Sequence, residues 1–324
     1  MPPFPKPRSS FDYDLDAELA ALREHRKLRE VPPRRRDRLL LATWNIANFG
    51  VQKRREKDHR LLAEVVGWFD LIAIQEVADN LADLYAVRDL LPKGYRLLVS
   101  DTAGNDERAA FLYDSREVEA LELVGRLSIP PSDFRHVKLA GVEQAFRGFD
   151  RPPYLTAFRA GSLTLLLASV HLFYGSEQPE DLARRSLETY AVARWADLSR
   201  NSRYAFTRDI VPLGDFNLPR VHPDDPIYRA LTSRGLAIPP HSTAVGGSSL
   251  GGDHQYDQIA FFPGEMQELN RGVGTFDFDN ALFRDLWSPK RPQPFFAYTR
   301  YYVSDHRPLW AEFATERGDA GADG

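Results

Sequence analysis

The chain has 324 residues, no cysteine, 43% hydrophobic residues and a formal net charge of -4. Disulfides and thiolate metal sites are excluded, a globular core large enough to fold without staples is expected, and a general phosphate-coating surface is disfavoured, although a local basic patch beside an acidic site is not. The start, Met1-Pro2-Pro3-Phe4-Pro5-Lys6-Pro7-Arg8, lacks an apolar signal core, and no run approaches the roughly 20 apolar residues that span a bilayer. A soluble, cytoplasmic protein without a membrane span is expected.

Leu15, Leu19 and Leu22 recur at helical spacing among charges between Asp14 and Leu28, which predicts an amphipathic helix packed outside the main domain. Pro32-Pro33 ends it, and Arg34, Arg35, Arg36 and Arg38 form a basic run of the kind that is usually a solvated linker. Residues 1–38 therefore read as an N-terminal arm, 39–314 as one α/β domain, and the polar, Gly-rich 315–324 as a disordered tail. Within the domain, Leu39 to Thr43 is a buried strand running into the exit Trp44-Asn45-Ile46-Ala47-Asn48-Phe49-Gly50. A helix over Glu56 to Phe69 follows, then a strand, Leu71 to Ile74, ending at Gln75-Glu76, and a helix from about Leu81 to Leu91. That alternation is the mark of α/β layer architectures.

Tyr95 to Ser100, Ala109 to Tyr113 and Val118 to Val124 read as short strands of antiparallel flavour. Residues 126–150 read as a long surface loop shaping a substrate rim. A strand over Leu155 to Arg159 precedes the most apolar run of the chain, Leu163 to Val170, which stops at His171. Glu177 to Ser199 is a long helix with Leu182, Leu187, Val192 and Trp195 inward. Asp209-Ile210-Val211 leads into Pro212-Leu213-Gly214-Asp215-Phe216-Asn217, where alternate residues of an extended chain put Asp215 and Asn217 in one pocket and Phe216 in the core; a simple turn is the competing reading. A short helix near Ile227 to Leu236, a mobile Gly/Ser loop over Gly246 to Gly252, a strand from Gln258 preceded by Tyr256-Asp257, and a closing strand, Leu309 to Phe313, preceded by Ser304-Asp305-His306-Arg307-Pro308, complete the pass. No internal repeat is present.

Six apolar runs thus meet polar groups at or beside their ends: Asn45, Glu76, His171, Asp215 with Asn217, Asp257, and Asp305 with His306. Strand ends on one sheet edge are where a rigid scaffold gathers catalytic groups. Carboxylates and amides without thiols suit a hard cation such as Mg²⁺ (or Mn²⁺), held by one or two carboxylates with waters and substrate phosphate. Histidines with nearby acids suit proton transfer, and Asp257 with His306 and Glu107 with His171 are the natural pairs. Each residue alone has a plain structural reading, His171 as a core histidine and Asn45 as a turn residue.

With Trp44-Asn45, Gln75-Glu76-Val77, Glu107-Arg108, Arg151, Ser169-Val170-His171, Gly214-Asp215-Phe216-Asn217, Tyr256-Asp257 and Ser304-Asp305-His306-Arg307-Pro308 in order, the chain resembles the endonuclease/exonuclease/phosphatase superfamily, the DNase I-like fold. The resemblance runs from Trp44 to Pro308. It implies a four-layer sandwich, two mixed β-sheets packed face to face with helices outside, and metal-assisted phosphoester hydrolysis. It also implies roles: Glu76 as principal metal ligand with Asn45 and Asp305, Asp215 and Asn217 positioning water and a phosphoryl oxygen, and Arg151 clamping a phosphate. His306, oriented by Asp257, and His171, paired with Glu107, would serve as base and as phosphate-stabilising group or leaving-group acid.

Two departures bear on substrate. Pancreatic-type DNases of this fold usually carry arginines where this chain has Ala47 and Ala78, and minor-groove arginines grip duplex DNA, so efficient duplex cutting is put in doubt. The disulfides of the secreted nucleases are absent too. Abasic-site repair enzymes usually lack a histidine at the His171 position, which places this chain nearer the DNase, sphingomyelinase and inositol-phosphatase side. The expectation is a nuclease acting on DNA or RNA, with no protein partner indicated. A phosphatase or phosphodiesterase on a small or lipid-linked phosphate is the alternative, and a non-catalytic binding module is disfavoured because every carboxylate and both histidines are present.

Overall fold

In strand β1 (Arg38–Phe49), Leu39 and Leu41 face one apolar cluster while Leu40, Ala42 and Trp44 face another. A strand turns alternate side chains to opposite faces, so a strand buried on both must lie between two layers. The computed structural model describes residues 3–8, 11–243 and 245–316. Its further elements are α1 (Leu15–Leu28), α2 (Glu56–Val66), β2 (Leu71–Ala78), α3 (Ala82–Leu90), β3 (Tyr95–Val99), β4 (Glu107–Asp114), β5 (Glu119–Arg126), β6 (Tyr154–Ala160) and β7 (Leu163–His171). They continue with α4 (Pro179–Arg200), β8 (Ile210–Asp215), α5 (Pro226–Thr232), β9 (Asp257–Ile259), α6 (Glu265–Leu269), β10 (Asn270–Thr275), α7 (Gln293–Tyr302) and β11 (Leu309–Ala314).

The strands form two mixed sheets, β10-β11-β1-β2-β4-β3 and β5-β6-β7-β8-β9. Only β1 with β2 and β7 with β8 run parallel among the paired strands of the described residues. Leu39, Leu41, Leu71 and Phe111 of the first sheet pack on Phe158, Leu165, Leu167, Val211 and Leu213 of the second. On the outer face of the first sheet, Leu22, Leu61, Leu62, Val87 and Tyr298 bring α1, α2, α3 and α7 onto Trp44 and Ile74. On the outer face of the second, Val192, Ala196, Ile227 and Leu231 bring α4 and α5 onto Leu166 and Ala168. Helix, sheet, sheet, helix is the four-layer sandwich expected. Among the described residues no helix is long and apolar enough to cross a membrane.

The differences from the sequence reading have local causes. Strand β1 does not exit at Thr43 but continues through Phe49, and β2 continues through Ala78; the pairing slips between Asn45 and Phe49, where Asn48 (φ 48°) and Glu76 (φ 58°) take left-handed backbone. Asn45 and Glu76 therefore sit in a bulge inside paired strands rather than after them. Helix α1 is seated on the sandwich, with Leu22 fully buried beside Tyr13, Val31 and Phe283. Arg34, read as linker, bonds Asp70 and Asp114 at 2.5 and 2.6 Å. Residues 126–150 hold a short 3-10 turn, Pro131–His136, and bury Val137 and Phe146 against Leu187 and Ala191 of α4. The Gly/Ser stretch near Gly246 is tied down: Ser248 N donates to His254 O, and Ser249 bridges His306. Strand β10 lacks alternation because Gly274 lies under Trp310, whose ring a Cβ would meet at 2.7 Å. Thr315 is buried and its carbonyl accepts from Ser162, so the fold reaches one residue past 314, and the expected tail from residue 317 lies outside the described residues.

Candidate active site

The ends of the two parallel pairs meet at one edge of the sandwich. Asn45 Nδ2, from the first sheet, donates to its neighbour Glu76 Oε1 and to Asp215 Oδ2 of the second, both at 3.1 Å. Glu76 Oε2 accepts from Asn48 N at 2.9 Å, so the left-handed bulge aims both its oxygens. In the second sheet, parallel pairing sets His171 against Asp215. Gly214, at φ 125°, lets the strands close: a Cβ there would lie 2.2 Å from Val170 O. Phe216 turns into the core, and Asn217 N donates to Asp215 Oδ1 at 2.8 Å, so both readings of this stretch hold: it is an Asx-type turn, and it puts Asp215 and Asn217 on one pocket.

Two histidines flank Asp215, each backed by a carboxylate. His171 Nδ1 lies 2.8 Å from Glu107 Oε2, and its Nε2 lies 3.7 Å from Asp215 Oδ2 and 3.9 Å from Glu76 Oε1. His306 Nδ1 lies 2.7 Å from Asp257 Oδ2, and its Nε2 lies 3.9 Å from the same Asp215 oxygen. Burial opposes charge on His306, but Asp257 and Asp215 outweigh it and hold the imidazole's pKa well above its ordinary value. Burial likewise raises the Glu107 carboxyl, and the His171 hydrogen bond with the Arg151 charge brings it below the usual range. The pocket between the histidines, about 550 Å³, is lined by Glu76, Asn217, Tyr256 and Asp305 among others.

No family model matches the chain. A deoxyribonuclease of Thioalkalivibrio sp. (strain K90mix) is 33% identical over 193 residues, 57% of this chain and 47% of that one. The human endonuclease/exonuclease/phosphatase family domain-containing protein 1 is 26% identical over 312 residues, 86% of this chain and 50% of that one. The chain thus spans about half the length of the curated relatives it matches. An endonuclease/exonuclease/phosphatase family protein from Bacteroides thetaiotaomicron superposes with a TM-score of 0.55 at 17% identity, covering 89% of this chain and 98% of that one. The chain has the endonuclease/exonuclease/phosphatase fold.

Within that fold, the donor set fits a hard divalent cation. Asn45 Oδ1 is buried without a hydrogen-bond partner, a neutral oxygen beside the Glu76 carboxylate. Asp305, partly exposed on the rim, is pushed up to about 6 by burial and by the Glu76 and Asp215 charges, a crowding of carboxylates that a cation relieves. Asp215, Asp257 and His306 also offer ligand atoms within 4.8 Å of one another. In that trio, however, His306 Nδ1 is already held by Asp257, which is the geometry of an oriented imidazole rather than a metal cage.

Arg151 sits at the pocket but is committed elsewhere: Nε and Nη2 donate to the carbonyls of His171 and Leu172 at 2.8 Å each, and Nη1 faces Asp150 at 3.4 Å. Its geometry supports the His171 strand end more directly than a phosphate. The sequence reading missed the groups behind the site. Arg185, fully buried in α4, donates to the carbonyls of Asn217 and Tyr174, and Glu188, also fully buried, accepts from the Phe173 and Asp150 amides. Apolar periodicity has no means of finding them. Asn105 and Tyr256 also line the pocket, and Tyr256 was in sight as the residue before Asp257. Four non-glycine residues at the site, Asn48, Glu76, Asn105 and Asn217, take positive φ.

Proposed function

We propose that the chain is a Mg²⁺- or Mn²⁺-dependent phosphodiester hydrolase, a nuclease cleaving DNA or RNA. The observation that carries this reading is the convergence of His171 Nε2 and His306 Nε2 on one oxygen of Asp215, at 3.7 and 3.9 Å, with each ring's other nitrogen held by a carboxylate. Asn45, Glu76 and Asp305 would hold the cation, which when bound supplies Lewis-acid stabilisation of phosphoryl charge and eases deprotonation of water. Asp215 and Asn217 orient the attacking water and a phosphoryl oxygen. One imidazole takes the water's proton, and the other, as imidazolium, faces the charge gathering on phosphorus-bound oxygens or protonates the leaving group. Glu107 and Asp257 keep each ring in the tautomer that turns Nε2 to the pocket.

A relative named a deoxyribonuclease supports nucleic acid over a small phosphoester as substrate. The lack of cysteine supports the cytoplasm as the compartment. Glu76→Ala at saturating Mg²⁺ or Mn²⁺ should lower phosphodiester hydrolysis by about a thousandfold or more, and undiminished turnover would sink the mechanism. A panel of plasmid DNA, single strands, RNA, inositol phosphates and sugar phosphates decides the substrate. A monoester turned over while every nucleic acid is spared favours the small-phosphate alternative.

A further inference from the structure

The cleft is chemically one-sided. Beyond Glu76 a neighbouring lobe of about 310 Å³ is lined by Asp79, Asp106 and Glu107 with Asn48, Asn80 and Asn105, and it holds no aromatic ring; Asp79 is paired there with Arg108 and Glu107 with His171. On the opposite flank, rings gather. Tyr256 lies 6.0 Å from the His306 ring at 34°, stacks with His254 at 4.9 Å and 19°, and meets Tyr174 edge-on at 6.2 Å and 82°.

These rings are held in place although they are open to solvent. Tyr174 is 38% exposed, yet the fully buried Arg185 donates to its carbonyl at 2.7 Å and sets a guanidinium 4.4 Å from its ring centre. Phe173, next in the loop, gives its amide to Glu188 at 3.2 Å and lies under the Arg184 guanidinium at 3.9 Å. A loop that exposes an aromatic ring while two buried polar side chains, Arg185 and Glu188, fix its backbone is a preorganised contact surface, because the ordering cost is met before a ligand arrives.

We infer that the exposed Tyr174 ring, set edge-on beside the stacked pair of Tyr256 and His254, makes with them an aromatic platform on which an unpaired nucleobase stacks beside the scissile phosphate, the base lying on one ring and against the edge of the other, which makes single-stranded nucleic acid the substrate class; this rests on the phosphodiesterase reading above. Every base offers a π-face, so such a platform binds without regard to sequence. In a duplex both faces of a base are covered by its neighbours, and flat side chains reach only bases that have left the stack. At Ala47 and Ala78, where pancreatic-type DNases usually carry arginines, this chain offers no guanidinium to a groove.

The test uses the full chain with Mg²⁺ and three short end-labelled DNA substrates: a single strand, the same strand in a blunt duplex, and a single strand of abasic sugar-phosphate units. Cleavage of the abasic strand reports on phosphodiester chemistry alone; the difference between it and the normal strand reports on the platform. The normal strand should show a KM at least about fivefold below the abasic one, and the duplex should be the poorest substrate. Tyr174→Ala should raise KM for the normal strand by about fivefold or more with little change in kcat, leave the abasic strand as it was, and be rescued by Tyr174→Phe. His254→Ala, at an exposed position, gives a second readout in the same direction without risk to the fold. Equal KM for normal and abasic strands, or equal losses on both in Tyr174→Ala, overturns the platform while leaving the phosphodiesterase standing. Failure to cut any of these strands or an RNA strand of the same sequence removes that reading and this inference with it.

Discussion

His171 ends a strand paired along its length, whereas His306 sits in the turn between α7 and β11, and the two reach the same carboxylate oxygen by different means. β7 is laddered to β6 on one side and to β8 on the other, so the position of His171 follows from many bonds that form together. His306 is placed by a few. Its amide donates to Ser304 Oγ at 3.1 Å, its carbonyl accepts from Trp44 Nε1 at 2.8 Å, and Ser304 Oγ donates onward to Asn45 O at 2.7 Å. Next in sequence, Arg307 pairs with Asp279 at 2.8 and 2.7 Å and donates to Gly246 O at 2.8 Å. A ladder spreads the load, and a side-chain network concentrates it in single residues.

Several substitutions break that comparison, beginning with the rings themselves. His171→Ala and His306→Ala should each lower kcat by about 10² to 10⁴, since both lie in the proposed proton path; a variant with full kcat removes that histidine from the chemistry. The supports should then separate the two sides. Arg307→Ala leaves the Asp279 carboxylate buried without its partner, for which about 3 to 5 kcal/mol of stability is expected to go in chemical denaturation, and kcat should fall as the His306 turn loosens. Arg307→Lys should rescue little, because one ammonium cannot reproduce the two-pronged contact. Smaller still is a pair of serines. Ser304→Ala should cut kcat by about tenfold through His306, while Ser169→Ala, which removes the acceptor for Gln75 Nε2 at 2.9 Å two residues before His171, should cost about 1 kcal/mol of stability and leave kcat alone. Equal effects of the two serine variants on kcat would erase the distinction.

The same contrast explains what was legible in the sequence. A strand end announces itself when an apolar run stops, and His171, Glu76 and Asp215 were readable for that reason. The two-sheet core followed from alternation along runs such as Leu39 to Trp44. The backing of the site was not readable, since Arg185 and Glu188 are polar side chains buried in the middle of α4, where helical periodicity predicts Leu182, Leu187, Val192 and Trp195 inward, of which Leu187 and Val192 are buried. Nor were the bulge at Glu76 and the anchoring of the Gly246 region, because a left-handed residue and an arginine reaching back from position 307 leave no local pattern. Arg151 carries a further bond set that the motif did not announce: it lines the pocket, and two of its nitrogens donate to the carbonyls of His171 and Leu172.

The last test uses acid and base to probe the side of the site that rests on buried charge. Glu188 Oε1 accepts from the Asp150 amide and Arg184 Nε at 3.1 and 3.2 Å, and Oε2 from the Phe173 amide at 3.2 Å, yet complete burial outweighs these bonds and pushes its pKa from 4.5 up to about 7. A carboxyl raised in the folded state favours folding while protonated. Its contribution is therefore complete below about 4.5 and is lost as pH rises through about 7. At about 1.4 kcal/mol per pH unit across that window, the wild type should lose up to roughly 3 kcal/mol in urea unfolding between pH 5 and pH 8. Glu188→Gln keeps an oxygen for the Phe173 amide and has no charge to bury, so its curve should lack the Glu188 part of this loss, with groups such as Asp305 titrating alike in both proteins, and it should match or exceed the wild type at pH 8. Parallel pH curves for the two proteins would mean that the carboxylate is already ionised and compensated by Arg184, and that the His171 side is held as independently of pH as its strand ladder.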